Sequence, residues 1–123
     1  MKKILGLAVL VMFSMITMAH SGVAFTNSTE GYNKASTQTF NFAFSTPHTI
    51  ENIKAAAAYY TSYFTTTVAQ EGDKIAVKIT LVEDTEMSRR VISRFFTTLE
   101  VKSIEVNGLD VVLNEFMDTY VLN

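Results

Sequence analysis

Thr39-Phe40-Asn41-Phe42-Ala43-Phe44-Ser45 and, further on, Ile75-Ala76-Val77-Lys78-Ile79-Thr80-Leu81-Val82 are the stretches on which the fold turns. In the first, three phenylalanines alternate with Asn41 and Ala43. In the second, Ile75, Val77, Ile79 and Leu81 alternate with Ala76, Lys78, Thr80 and Val82. Successive side chains of an extended chain point to opposite sides, so a period of two gathers each apolar set on one face of a strand. Strands with one oily face need an apolar surface laid over it.

Two amphipathic segments supply that surface. Ile50, Ile53, Ala57, Tyr60 and Phe64 recur at spacings of three and four, with Glu51, Lys54, Ala55, Ala58 and Ser62 opposite, which predicts a helix. Its start is expected at Ser45-Thr46-Pro47, a cap hydroxyl followed by Pro at a first helical position where the missing N–H costs nothing. The β-branched run Thr65-Thr66-Thr67-Val68 disfavours helix, so the helix should end near Ser62 and a strand begin at about Phe64. Gln70-Glu71-Gly72-Asp73 reads as the tight turn into the 75–82 strand. Asp84 or Thr85 can cap a second helix, whose Met87, Val91, Ile92, Phe95, Phe96 and Leu99 form the apolar arc, with Arg89, Arg90 and Arg94 on the other half.

Val101 to Val106 returns to strand-like sequence, and Asn107-Gly108 is a favoured two-residue hairpin turn. Beyond it two patterns coexist. Leu109, Val112, Leu113, Phe116 and Tyr120 fit a helical face, whereas Val111, Leu113 and Met117 fit the return strand of a hairpin. The resulting order resembles a ferredoxin-like β-α-β-β-α-β sandwich: an α+β fold with two helices on one face of an antiparallel sheet, here with a C-terminal extension. That architecture serves many activities, so function has to be sought in particular residues.

Upstream, Met1-Lys2-Lys3 precedes an uncharged run from Ile4 to Ala19 and the small-residue stretch Ser21-Gly22-Val23-Ala24. A positive start, an apolar middle and a small-residue exit are the parts of a secretory signal. Gly22 and Ala24 fit the −3 and −1 positions of a cut after Ala24; Ala19 and Ser21 offer a second choice, after Ser21. An uncleaved anchor would need about 20 apolar residues, and Ser14, Thr17, His20 and Ser21 interrupt the run. The expected organisation is a cleaved signal over 1–24, a flexible leader over 25–38 and a single α+β domain over 39–123. The product would be periplasmic or secreted, with no membrane span after cleavage. Export permits disulfides, yet Cys is absent, so packing alone must hold the domain.

Composition narrows the functional classes. With no Cys, one Pro and a formal charge of −2 over 123 residues, the chain is not a disulfide scaffold, a collagen-like repeat or a basic nucleic-acid binder. Loss of Lys2 and Lys3 makes it more acidic, which disfavours phosphate backbones, and the open sheet face lacks the aromatic platforms that stack bases. No nucleic-acid partner is expected. His48 is the one His downstream of Ala24, so no metal-ligand set and no cofactor are implied.

A nucleophilic relay would have to join Ser45, His48 and Glu51 without the usual elbow sequence, and helix capping already accounts for Ser45 and Thr46. Glu83, Asp84 and Glu86 lack the Ca²⁺-loop pattern. Negative charge at a helix start complements the macrodipole instead. Catalysis is not expected.

The binding candidates are Arg89, Arg90 and Arg94, as a basic stripe on the outer face of the second helix, Tyr59 at the rim of the core and Lys78 on the open sheet face. The expectation is a small exported non-catalytic domain acting by protein–protein contact through its open sheet face, a sheet edge or the Arg stripe, with an unidentified protein partner or by self-association. The alternative is a periplasmic protein that binds a small ligand or ion.

Overall fold

The alternating stretches at 40–44 and 75–81 become neighbouring antiparallel strands, with Phe42 opposite Val77 and Phe40 opposite Ile79. In the computed structural model, which describes residues 22–123, they belong to one six-stranded sheet. Its strands are β1 (Val23–Phe25), β2 (Thr39–Phe44), β3 (Phe64–Glu71), β4 (Lys74–Leu81), β5 (Ser103–Val106) and β6 (Leu109–Val112). They lie in the order β3-β4-β2-β1-β5-β6. The helices are α1 (Ile50–Ala57), α2 (Glu86–Thr98) and α3 (Leu113–Phe116), the last continuing as a π turn over Met117–Val121.

This is the expected α+β sandwich. The order β2-α1-β3-β4-α2-β5 is consistent with a ferredoxin-like topology carrying a C-terminal helical extension. Phe40, Phe42, Phe44, Phe64, Phe95, Phe96 and Phe116 are essentially inaccessible. Phe42 meets Phe96 edge-on at 4.9 Å and Phe116 at 6.0 Å, so α2 and α3 both roof the same side of β2. Aromatic pairs in this geometry add a little beyond the large area they bury.

Four features of the fold add to or depart from the expected elements. The first is β1, which inserts between β2 and β5, antiparallel to β2 (Val23 opposite Phe44, Ala24 opposite Ala43) and parallel to β5 (Ala24 opposite Glu105). The bond after Ala24, expected as the site of cleavage, lies inside this strand. The rest of the expected signal, residues 1–21, lies outside the described residues.

The second is the segment over 25–38, expected as a flexible leader, which makes hydrogen bonds and ring contacts to the domain. Asn27 accepts from the Asn41 N–H at 2.7 Å and donates to the Thr39 carbonyl at 3.1 Å. Tyr32 donates to the Tyr120 carbonyl at 2.6 Å, and its ring lies 5.8 Å from that of Phe25. A segment without periodicity is held to the domain by Phe25, Asn27 and Tyr32, each of which finds a partner there.

The third concerns α1, which begins at Ile50. Thr49, not Ser45 or Thr46, caps it by accepting the Asn52 N–H, and Pro47 stands upstream, joined to Thr46 by a cis peptide. The fourth is Met87, placed in the apolar arc of α2 but 52% exposed.

The two readings of the tail are realised in succession. Asn107 (φ 52°) and Gly108 (φ 84°) form the turn that pairs β5 with β6, and the chain then coils into α3. Both turn residues need positive φ, which Asn tolerates and Gly adopts freely.

Candidate functional site

Of the sequence candidates, Arg89 lies furthest from where it was expected. It is fully buried and directs all five of its N–H groups at acceptors. Nε and Nη2 donate to the two oxygens of Asp84 at 2.7 and 3.1 Å. Nη2 also donates to the Thr37 carbonyl at 2.7 Å, and Nη1 to the carbonyls of Lys34 (2.9 Å) and Val121 (2.7 Å). The guanidinium carbon sits 5.9 Å from the centre of the Phe40 ring. One side chain thus ties α2, the 34–37 segment and the C-terminal turn together.

Asp84 is held below its ordinary carboxyl value by the hydrogen bond from Arg89, which outweighs the opposing effect of burial. The basic stripe is therefore corrected: Arg89 is a structural staple. The signal was in the spacing, because Arg89 is three residues before Ile92 and seven before Phe96, on the buried side of the helix.

The other candidates remain at the surface but do not converge. Arg90 reaches Glu86 one turn away at 3.3 Å, an exposed pair of small energetic value. Arg94 is exposed on the same helix. Tyr59 is 77% exposed, its ring 6.2 Å from that of Tyr60, whose hydroxyl lies 2.7 Å from the Thr98 hydroxyl. Lys78 projects from β4 between Thr67 of β3 and Asn41 of β2, on the sheet face away from the helices.

Of the conceivable relay, Ser45 and His48 each contact a neighbouring element. The Ser45 hydroxyl donates to the Gly22 carbonyl at 3.3 Å, and the His48 ring stands edge-on to Phe44 at 5.1 Å. The hollow beside them, about 350 Å³, is a shallow recess shared by Thr49, Glu51, Gln70 and Asp73. The expected acidic group at the start of α2 is divided: Asp84 serves Arg89, Glu86 serves Arg90, and Thr85 caps the helix by accepting the Ser88 N–H at 3.0 Å. Among the described residues no three His, Cys, Asp or Glu side chains could hold a metal together.

A sheet edge is one of the contact surfaces the sequence offers, and strand order decides which strand supplies it. Among the described residues β3 is an outer strand, paired with β4 through eight consecutive positions from Phe64–Leu81 to Glu71–Lys74. The Val82 N–H donates to the Tyr63 carbonyl at 3.0 Å. In an antiparallel pair the bonded positions alternate, so Thr65, Thr67 and Ala69 turn their main-chain groups inward to β4. Those of Thr66, Val68 and Gln70 turn outward. The Gln70 side chain is engaged in the turn, donating to the carbonyls of Gly72 and Lys74.

From Phe64 to Gln70 the strand carries no charge and no Pro, and its register shows no bulge. The opposite edge, β6, has four residues and includes Asp110. The threonine run was legible only as β-propensity; that it would lie at an edge depended on strand order.

Comparison of the chain with protein-family models, with curated proteins and with solved structures finds no match. Among the described residues no helix is long and apolar enough to cross a membrane.

Proposed function

We propose that this chain is a small exported domain without catalytic activity, and that it works by receiving an extended segment of a partner protein along the outer edge of β3. The observation that carries the reading is the edge itself: a long, regular, uncharged strand with main-chain donors and acceptors directed outward at Thr66 and Val68. Sheets ordinarily blunt such edges with Lys, Pro, bulges or a covering element. Strand addition exploits them, because main-chain hydrogen bonds supply affinity while alternate side chains supply selectivity.

Export is supported by Lys2-Lys3 followed by the uncharged run to Ala19, and a periplasmic or secreted location follows from it. A non-catalytic role is supported by the structural employment of Ser45, Asp84, Glu86 and Arg89. Two copies of β3 meeting edge to edge would use the same hydrogen bonds, and the test below detects that case as well.

Thr66→Pro removes an outward N–H and leaves the inward ladder to β4 intact; Pro is tolerated on edge strands for this reason. A photo-crosslinker in place of Thr67, whose side chain lies on the face away from the helices, reports whatever lies along the edge. The expected result is a cross-linked adduct, to a partner from the exported fraction or to a second copy, that disappears with Thr66→Pro while the melting temperature changes little. An adduct that persists in the Thr66→Pro protein, or no adduct in either, overturns the proposal.

A further inference from the structure

We infer that the precursor is cut no later than the Ser21–Gly22 bond, with Ala19 as the residue that specifies the cut; this rests on the export reading proposed above. The sequence between 19 and 24 offers small side chains in more than one peptidase register, and the fold separates them. Among the described residues β1 is an inner strand and the only one joining β2 to β5. Cutting after Ala24 would delete Val23, which is fully buried, and two of the three residue pairs between β1 and β2. The new ammonium group would fall on Phe25, whose ring packs at 5.1 Å from Phe116 and 5.4 Å from Tyr120. The hairpin of β5 and β6 would lose the strand that holds it to the sheet.

The small residues that imitate a cleavage motif have structural reasons to be small. Gly22 adopts φ +85°, and a Cβ there would stand 3.0 Å from the Thr46 carbonyl oxygen. Its own carbonyl accepts the Ser45 N–H at 2.8 Å, closing the end of the β1–β2 ladder. Ala24 is opposite Ala43, itself opposite Ala76, in a row of small side chains across the open face. Gly22 and Ala24 are therefore accounted for by the backbone and the sheet.

Upstream, Thr17 and Ala19 occupy −3 and −1 for a cut before His20, and Ala19 and Ser21 do so for a cut before Gly22. Ala19 serves in both registers.

The test is expression of the full precursor in an exporting bacterial host, followed by N-terminal sequencing and intact mass of the product. The expected N-terminus is His20 or Gly22. Ala19→Leu should abolish the mature band, and Ala24→Leu should leave its position and yield at the time of processing unchanged. Processing acts on the translocating chain before it folds, so this readout does not depend on the variants' stability. A mature chain beginning at Phe25, or loss of processing with Ala24→Leu but not with Ala19→Leu, overturns the inference while leaving export intact. A precursor that is never cut overturns both.

Discussion

Replacing Arg89 by Met preserves much of the side chain's bulk against Phe40 while removing every one of its donors. Three main-chain carbonyls, of Lys34, Thr37 and Val121, would then lose a partner 2.7–2.9 Å away, and Asp84 would lose its counter-charge. A buried group left unpaired costs about 1–3 kcal/mol. Lys34 and Thr37 are half-buried and can recruit water, which places them at the low end, whereas Val121 is buried. The Asp84 side chain is 28% exposed and can rehydrate, so the ~3–5 kcal/mol of a fully stranded buried charge is not reached.

The sum is a loss of about 4 kcal/mol, or roughly 16–32 °C in melting temperature for a domain of this size. Arg89→Lys keeps the charge but has three donors on one nitrogen, and should lose about 2 kcal/mol. Urea unfolding followed by circular dichroism measures both. Native-state hydrogen exchange should show amides in 32–37 and 117–121 exposed first in the Met variant, because these are the segments Arg89 holds.

The acid dependence adds a second check. With the folded Asp84 carboxyl below its ordinary 3.8, its contribution to stability is present above that value and is lost as pH falls through the lower folded value. Asp84→Asn should flatten the acid limb over that window. An Arg89→Met protein within about 1 kcal/mol of the parent would refute the staple.

Three further perturbations test other parts of the structure. Tyr32 has its phenol raised above 10, chiefly by burial, so folding favours the neutral form and that stability is lost as pH climbs through the raised folded value. Tyr32→Phe should be about 1 kcal/mol less stable near neutrality yet lack this alkaline decline, as urea midpoints at about pH 8 and about pH 11 will show; parallel declines in both proteins would contradict it. Phe42→Ala opens a cavity among Phe25, Phe96 and Phe116 and should cost about 3–5 kcal/mol in a denaturant titration; a loss under about 2 would mean that the core is not organised around that ring. Gly108→Ala forces a side chain into φ +84° and should cost about 1 kcal/mol in thermal unfolding, with a neutral result arguing against the turn geometry.

The parts of the fold legible in advance were those where one local rule dominates. The triple Phe alternation, the Ile75–Leu81 period and the apolar arcs of α1 and α2 each repeat often enough to state both the element and its buried face. β1 was concealed because three residues are too few to show a period, and because Gly22 and Ala24 satisfy the same small-residue rule as a cleavage motif. Arg89 departs from the outer stripe because a charged side chain is not by itself a sign of solvent. Its position relative to Ile92 and Phe96 indicated burial, but the acceptors that make burial tolerable come from segments more than thirty residues away.

By itself, the amino-acid order determined β2, β4, the apolar arcs of α1 and α2 and the turn at Asn107-Gly108, because hydrophobic period and backbone φ preference act over a few residues. Only the tertiary structure decided that Val23–Phe25 is an inner strand, that Arg89 binds the 34–37 segment and the C-terminal turn to α2 and that β3 is left at an edge. Those outcomes depend on which distant strands become neighbours and which carbonyls meet a guanidinium, and such pairings are settled by packing across the whole sheet.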